Sequence, residues 1–193
     1  MSGMDGIIGF LFSGIGLTVL GLLLKAYFLS PREKPFIEVN PCNDLQVGTY
    51  SKTVGLSVRN LPYVGKLAAF VKREKAENAE VRISVVNEMG IPVGLAQFRG
   101  IWEGSSGSTQ MNLVPSLDYH YVVIARKKAR DTQNMCEFIG SEIVTNTNRT
   151  WNLVVGQYRV GWELHSSGRQ VAQGQLILTN PESHLEEFLL RNV

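Results

Sequence analysis

Residues 6–24 read GIIGFLFSGIGLTVLGLLL, nineteen positions without a charged side chain, and Lys25-Ala26-Tyr27-Phe28-Leu29 carries the apolar character further. A helix rises about 1.5 Å per residue, so the run would span roughly 28 Å, close to the ~30 Å hydrocarbon core of a bilayer. Lys25 stands where its long stem can place the ammonium at the interface beside Tyr27. The expectation is one transmembrane helix within residues 1–30, ahead of a β-rich domain.

A cleaved secretory signal fits less well. Met1-Ser2-Gly3-Met4-Asp5 contains no Lys or Arg, the apolar run is long, and Leu29-Ser30-Pro31 leads into charges rather than into an Ala-x-Ala site. Lys25, Arg32 and Lys34 follow the run, whereas the terminal amine faces Asp5 before it. The positive-inside rule then puts the N-terminus outside and the domain in the cytoplasm, a single-pass membrane location. Gly6, Gly9, Ser13 and Gly16 share one helical face, and Gly14, Thr18 and Gly21 another. Small residues spaced this way let a partner helix approach, so a protein partner or self-association through this helix is expected.

About 160 of the 193 residues lie beyond the run, enough for one domain with a sizeable core. Nineteen Lys and Arg against seventeen Asp and Glu leave a formal charge of +2, which argues against a dedicated nucleic-acid binder. Cys42 and Cys136 show neither C-x-x-C nor metal-ligand spacing. They are reduced thiols in a cytoplasmic domain, or a bridge between its start and middle in an extracytoplasmic one. Asn148-Arg149-Thr150 is a lone sequon, weak evidence for secretion.

Residues 31–35, bounded by Pro31 and Pro35, form a charged linker. Beyond it, short alternating segments are separated by turn residues. Strands are expected at residues 36–39, 53–60, 79–88, 91–98, 110–114, 118–126, 136–144, 157–165 and 169–178. Val81, Ile83 and Val85 alternate with Arg82 and Ser84, and Tyr158, Val160, Trp162 and Leu164 share a face. With no βαβ rhythm, the pattern predicts a mainly β chain, an antiparallel immunoglobulin-like β-sandwich over residues 36–180. A small closed barrel is the alternative. Residues 66–77 read as a helix or a long loop. Residues 181–193 read as a C-terminal amphipathic helix, with Ser183 and Glu186 as a capping box and Leu185, Phe188 and Leu189 as its stripe.

Gly55-Leu56-Ser57-Val58-Arg59-Asn60, followed by residues 75–85 (KAENAEVRISV) and later Gly156-Gln157-Tyr158-Arg159-Val160, resembles prokaryotic immunoglobulin-like sandwich domains of the CARDB-like kind. There a strand ending in "R-x-N" or "V-x-N" leads through a loop to an "A-x-N/A-V-x-V" strand, and a "G-x-Y-x-V" strand opens a late hairpin. The resemblance covers roughly residues 36–180. It implies a binding or structural role rather than a reaction, since function does not follow from such a fold.

No catalytic, cofactor or metal-binding constellation emerges. His120, His165 and His184 sit in separate segments, no G-x-S-x-G elbow is present, and Gly104-Ser105-Ser106-Gly107 lacks the Lys-Ser/Thr and helix of a phosphate loop. Arg126, Lys127, Lys128 and Arg130 put four cations in five residues, a candidate contact for anionic lipid headgroups, against a solvated hairpin end. Trp102 and Trp151 are candidate partner contacts, against packing at the domain's edge; Trp162 reads as core. The sequence therefore points to a membrane-anchored, non-catalytic interaction module, an accessory or structural subunit of a membrane complex being one form of it. No small-molecule ligand is expected. The alternative is an extracytoplasmic ligand- or polysaccharide-binding domain.

Overall fold

The computed structural model describes residues 17–19, 21–22, 32–48, 50–64, 71–129, 134–182 and 184–193. They fall into two compact units, one drawn from Met1–Lys34 and Pro62–Glu74, the other from Pro35–Leu61 and Lys75–Val193.

In the first unit, residues 17–19 and 21–22 are helical and exposed. Strand β1 (Arg32–Glu33) pairs in parallel with a short strand at Lys72–Arg73. There Arg73 Nη2 lies 3.1 Å from Glu33 Oε2, and Glu74 N–H donates to Glu33 O at 2.8 Å. No helix among the described residues is long and apolar enough to cross a membrane. This corrects the expected single-pass anchor, and with it the membrane location and the assigned orientation. Gly6, Gly9, Ser13, Gly14 and Gly16 lie outside the described residues. Thr18 and Gly21 are described, and a Cβ at Gly21 would meet nothing within 4 Å.

The second unit is one twelve-stranded sheet. In chain order its strands are β2 (Ile37–Gly48), β3 (Ser51–Asn60), then β5 (Ala76–Asn87), the Lys72–Arg73 strand of the first unit being β4. Next come β6 (Phe98–Arg99), β7 (Ile101–Trp102), β8 (Met111–Leu113), β9 (His120–Lys128) and β10 (Cys136–Ser141). The last are β11 (Asn148–Leu153), β12 (Gly156–Ser166), β13 (Arg169–Asn180) and β14 (Leu189–Asn192). The path runs β14-β13-β12-β5-β6-β10-β9-β3-β2, with β7, β8 and β11 as side branches.

The expected two-layer sandwich is therefore corrected to a single, nearly closed, barrel-like sheet. Register shifts between Cys42 and Gln46, between Val54 and Gly55 and between Leu164 and His165 bend the strands, as bulges do. The curl brings β2 and β14, the two ends of the path, together. Asn43, in the β2 bulge, closes the gap with its side chain: Nδ2 donates to Leu190 O at 3.0 Å, and Oδ1 accepts from Leu190 N–H at 2.6 Å. One carboxamide thus stands in for a ladder pair. Lys52 Nζ adds a bond to Glu186 O at 3.2 Å.

Alternation explains which side chains fill the interior. Val81, Ile83 and Val85 of β5, Tyr158, Val160 and Leu164 of β12 and Leu176 and Leu178 of β13 are all buried. Phe98 meets Phe138 edge-on at 4.6 Å between ring centroids, and both rings pack on Trp151.

Three further expectations change. The C-terminal helix is instead a 3-10 turn at Leu185–Glu187 followed by β14, with Phe188 and Leu190 buried two residues apart. That spacing is a strand's, and β14 completes hydrogen bonds that the edge of β13 would leave open. Ser183 lies outside the described residues, and His184 at the turn's N-cap makes no side-chain cap bond. Residues 91–98 form no continuous strand: only Pro92 bridges Val86 before Phe98 enters β6. Proline has no N–H for a ladder, and Gly90 and Gly94 take positive φ. Of residues 66–77, 66–70 are outside the described residues and the rest holds the Lys72–Arg73 strand and the start of β5.

Candidate functional site

The residues singled out from sequence do not gather into one surface. Lys127 is buried, and its ammonium donates to Asn180 Oδ1 and Pro181 O at 2.7 Å and to Asn134 O at 3.1 Å. Arg126 Nε donates to Thr53 Oγ1 at 3.3 Å, and Lys128 pairs with Glu137 at 2.7 Å. Arg130 lies outside the described residues. Trp102 is buried and donates its indole N–H to Ala79 O at 3.2 Å; Trp151 is half-buried in the aromatic cluster. Both cysteines are free thiols. Burial pushes the Cys136 thiol up to about 12, against the partial pull of Lys127, so it is protonated and poorly nucleophilic.

What the fold does assemble is a polar shelf on the outer face of β5, β12 and β13. Cross-strand register sets Arg82 beside Glu163 and Glu163 beside Gln173, and in the next row Ser84 beside Gly161 and Gly161 beside Gln175. Neighbouring strands lie about 4.8 Å apart, so each row crosses roughly 10 Å of surface. These side chains, with Gln97, line a hollow of about 330 Å³. Gly161 keeps it open, because a Cβ there would come within 2.6 Å of Ser84 Oγ.

Glu163 is the shelf's acceptor. Its Oε2 lies 3.0 Å from His165 Nε2 and 3.4 Å from Gln97 Nε2. A carboxylate only accepts, so His165 carries its proton on Nε2 toward Glu163, leaving a buried Nδ1 with no partner. The bond from His165 holds the Glu163 carboxyl below its ordinary value. At the shelf's far side, Glu80 sits almost fully buried between two guanidiniums, with Oε1 2.8 Å from Arg82 Nε and Oε2 2.8 Å from Arg99 Nε. Burial pushes its carboxyl up, but the bond from Arg82 and the charges of Arg99 and Arg82 outweigh that and leave it below the ordinary value. Beyond Arg99 a second hollow of about 340 Å³ is lined by Gly107, Ser108, Thr109, Gln110, Asn146 and Asn148. The Arg82–Glu80–Arg99 triad is shared between the two.

The chain matches no family model, no curated protein and no solved structure. None of the comparisons identifies the CARDB-like family, and the functional reading rests on the geometry.

Chemically the shelf is rich in both donors and acceptors: carboxamides and hydroxyls, which do both, two guanidiniums and a carboxylate. Among the described residues no three His, Cys, Asp or Glu side chains group as metal ligands. Sequence reasoning passed over Arg82, Gln97, Arg99, Glu163 and Gln173 because nothing in their spacing links them, and only strand register brings them together. Gly161 and Gly174 were the available signal, since a glycine inside a regular strand often marks a place where something approaches closely.

Proposed function

We propose that the chain is a non-catalytic binding module whose outer shelf holds a hydroxyl-rich ligand of the polysaccharide kind. The observation that carries this is the in-register row Arg82, Glu163, Gln173, flanked by Gln97 and Gln175 around an open hollow. Sugar hydroxyls donate and accept at once, and a surface alternating carboxamides with a carboxylate and a guanidinium answers both demands. The hollow sits at the small end of ligand pockets, the size of a subsite on a longer chain rather than of an enclosed small-molecule cavity.

The test is binding of the purified chain to a panel of immobilised polysaccharides, alongside a Glu163→Ala/Gln173→Ala double variant. Removing the acceptor and one amide should weaken binding at least about tenfold, equivalent to ~1.4 kcal/mol. Absence of binding across the panel, or unchanged binding by the double variant, overturns the proposal.

A further inference from the structure

Resting on that reading, we propose that the hollow beside Arg99 is an acid-group subsite, so that the ligand is an acidic polysaccharide bearing carboxylate or sulfate groups. The lining of this hollow contains one cation, hydroxyls and carboxamides, and no carboxylate. Glu80 lies behind it between two guanidiniums, and since Arg82 also faces Glu163, Arg99 is the charged group turned toward this hollow. Arg99 Nε lies 2.8 Å from Glu80 Oε2 as an ion pair without hydrogen-bond geometry, and Nη1 donates to Asn146 Oδ1 at 3.3 Å. The carboxylate of the adjoining loop, Glu142, is already paired with Arg149 at 2.7 Å.

Two donors on the lining have no described partner. Thr109 is buried as a residue, and its hydroxyl, which meets no partner among the described residues, keeps access to solvent at the hollow. The Asn148 carboxamide is likewise unpaired among them, and it nestles against Gly107, where a Cβ would stand 2.9 Å from Asn148 Nδ2. Gly107 takes φ +91°, a conformation that side chains resist, so the loop's fit against Asn148 depends on glycine. A guanidinium beside an unpaired hydroxyl and an amide N–H is oxyanion chemistry, in which charge-assisted bonds are roughly twice as strong as neutral ones. The neighbouring hollow sets Glu163 beside Arg82, so its two charges offset each other. The shelf thus has polarity: an acidic residue belongs beside Arg99 and a neutral one beside Glu163.

The test compares matched oligosaccharides by titration calorimetry on the full chain: oligogalacturonate against its methyl ester, and a sulfated glucan against its desulfated form. Inorganic sulfate serves as the minimal probe. The acidic member of at least one pair should bind about tenfold or more tightly, with sulfate competing, and Arg99→Gln should level the pair. Preference for the uronate, the sulfated chain or both identifies the acid group and supports the subsite in each case. Thr109→Val should weaken the acidic member while sparing the neutral one. Equal or tighter binding of the neutral members overturns this inference and leaves the polysaccharide reading standing; binding of no member overturns both. Because the paired ligands are compared on the unaltered chain, the outcome is decisive even where Arg99→Gln fails to fold.

Discussion

Asn180 and Lys127 show how much a single side chain carries in this sheet. Asn180 Nδ2 donates to Leu153 O at 3.0 Å and Val154 O at 2.8 Å, and to Asn134 O at 3.2 Å, while Oδ1 accepts from Lys127. The pair ties β9, β13 and the chain on either side of β10 and β11 into one buried knot. Asn180→Ala strips those bonds and leaves the Lys127 ammonium short of an acceptor. Each buried polar group left unpaired costs about 1–3 kcal/mol, so a loss of about 3 kcal/mol is expected, read as a lower urea midpoint at unchanged slope. Lys127 was hard to place from sequence for a definite reason. Strict alternation from Val122 and Ile124 would turn Arg126 inward and Lys127 outward. The register shift that pairs Val54 with Ala125 but Gly55 with Val123 inserts one residue into β9 and reverses the parity. A bulge of this kind leaves no mark in composition.

At the scale of elements, β5, β12 and β13 were legible because their apolar residues recur every second position on faces long enough to count. The last ten residues were not, because Leu185, Phe188 and Leu189 fit a helical stripe as readily as Phe188 and Leu190 fit a strand. Tertiary context decides: β13 has an edge to pair and the interior has room for Phe188. Phe188→Ala should therefore cost about 3–5 kcal/mol, the range for a buried aromatic, in a chemical-denaturation series. On an exposed amphipathic helix the same change would cost far less. β11 escaped notice because only Trp151 and Leu153 of its residues are apolar.

For the molecule as a whole, mainly β content could be read from sequence, whereas the closure of the sheet and the shelf on its outside could not. Both depend on pairings between segments far apart in the chain. The same pairings set the acid limit of the fold. Glu38 is held below its ordinary value by its bond to Arg59, Glu163 by His165, and Glu80 by Arg82 and Arg99 in spite of burial. A depressed carboxyl contributes stability that is complete above the unfolded value near 4.5 and is lost as pH falls through the lower folded values. The melting temperature should hold steady from about pH 6 to pH 5 and drop below about pH 4, and Glu80→Gln should flatten that drop while lowering the plateau.

The most direct measurement of the shelf's role is amide chemical-shift mapping of the labelled chain during titration with an acidic oligosaccharide. Perturbations confined to residues 80–84, 97–99, 107–110, 146–148, 161–165 and 173–175 are the predicted result. Perturbations centred on another surface, or none at saturating oligosaccharide, would contradict a binding role for the shelf.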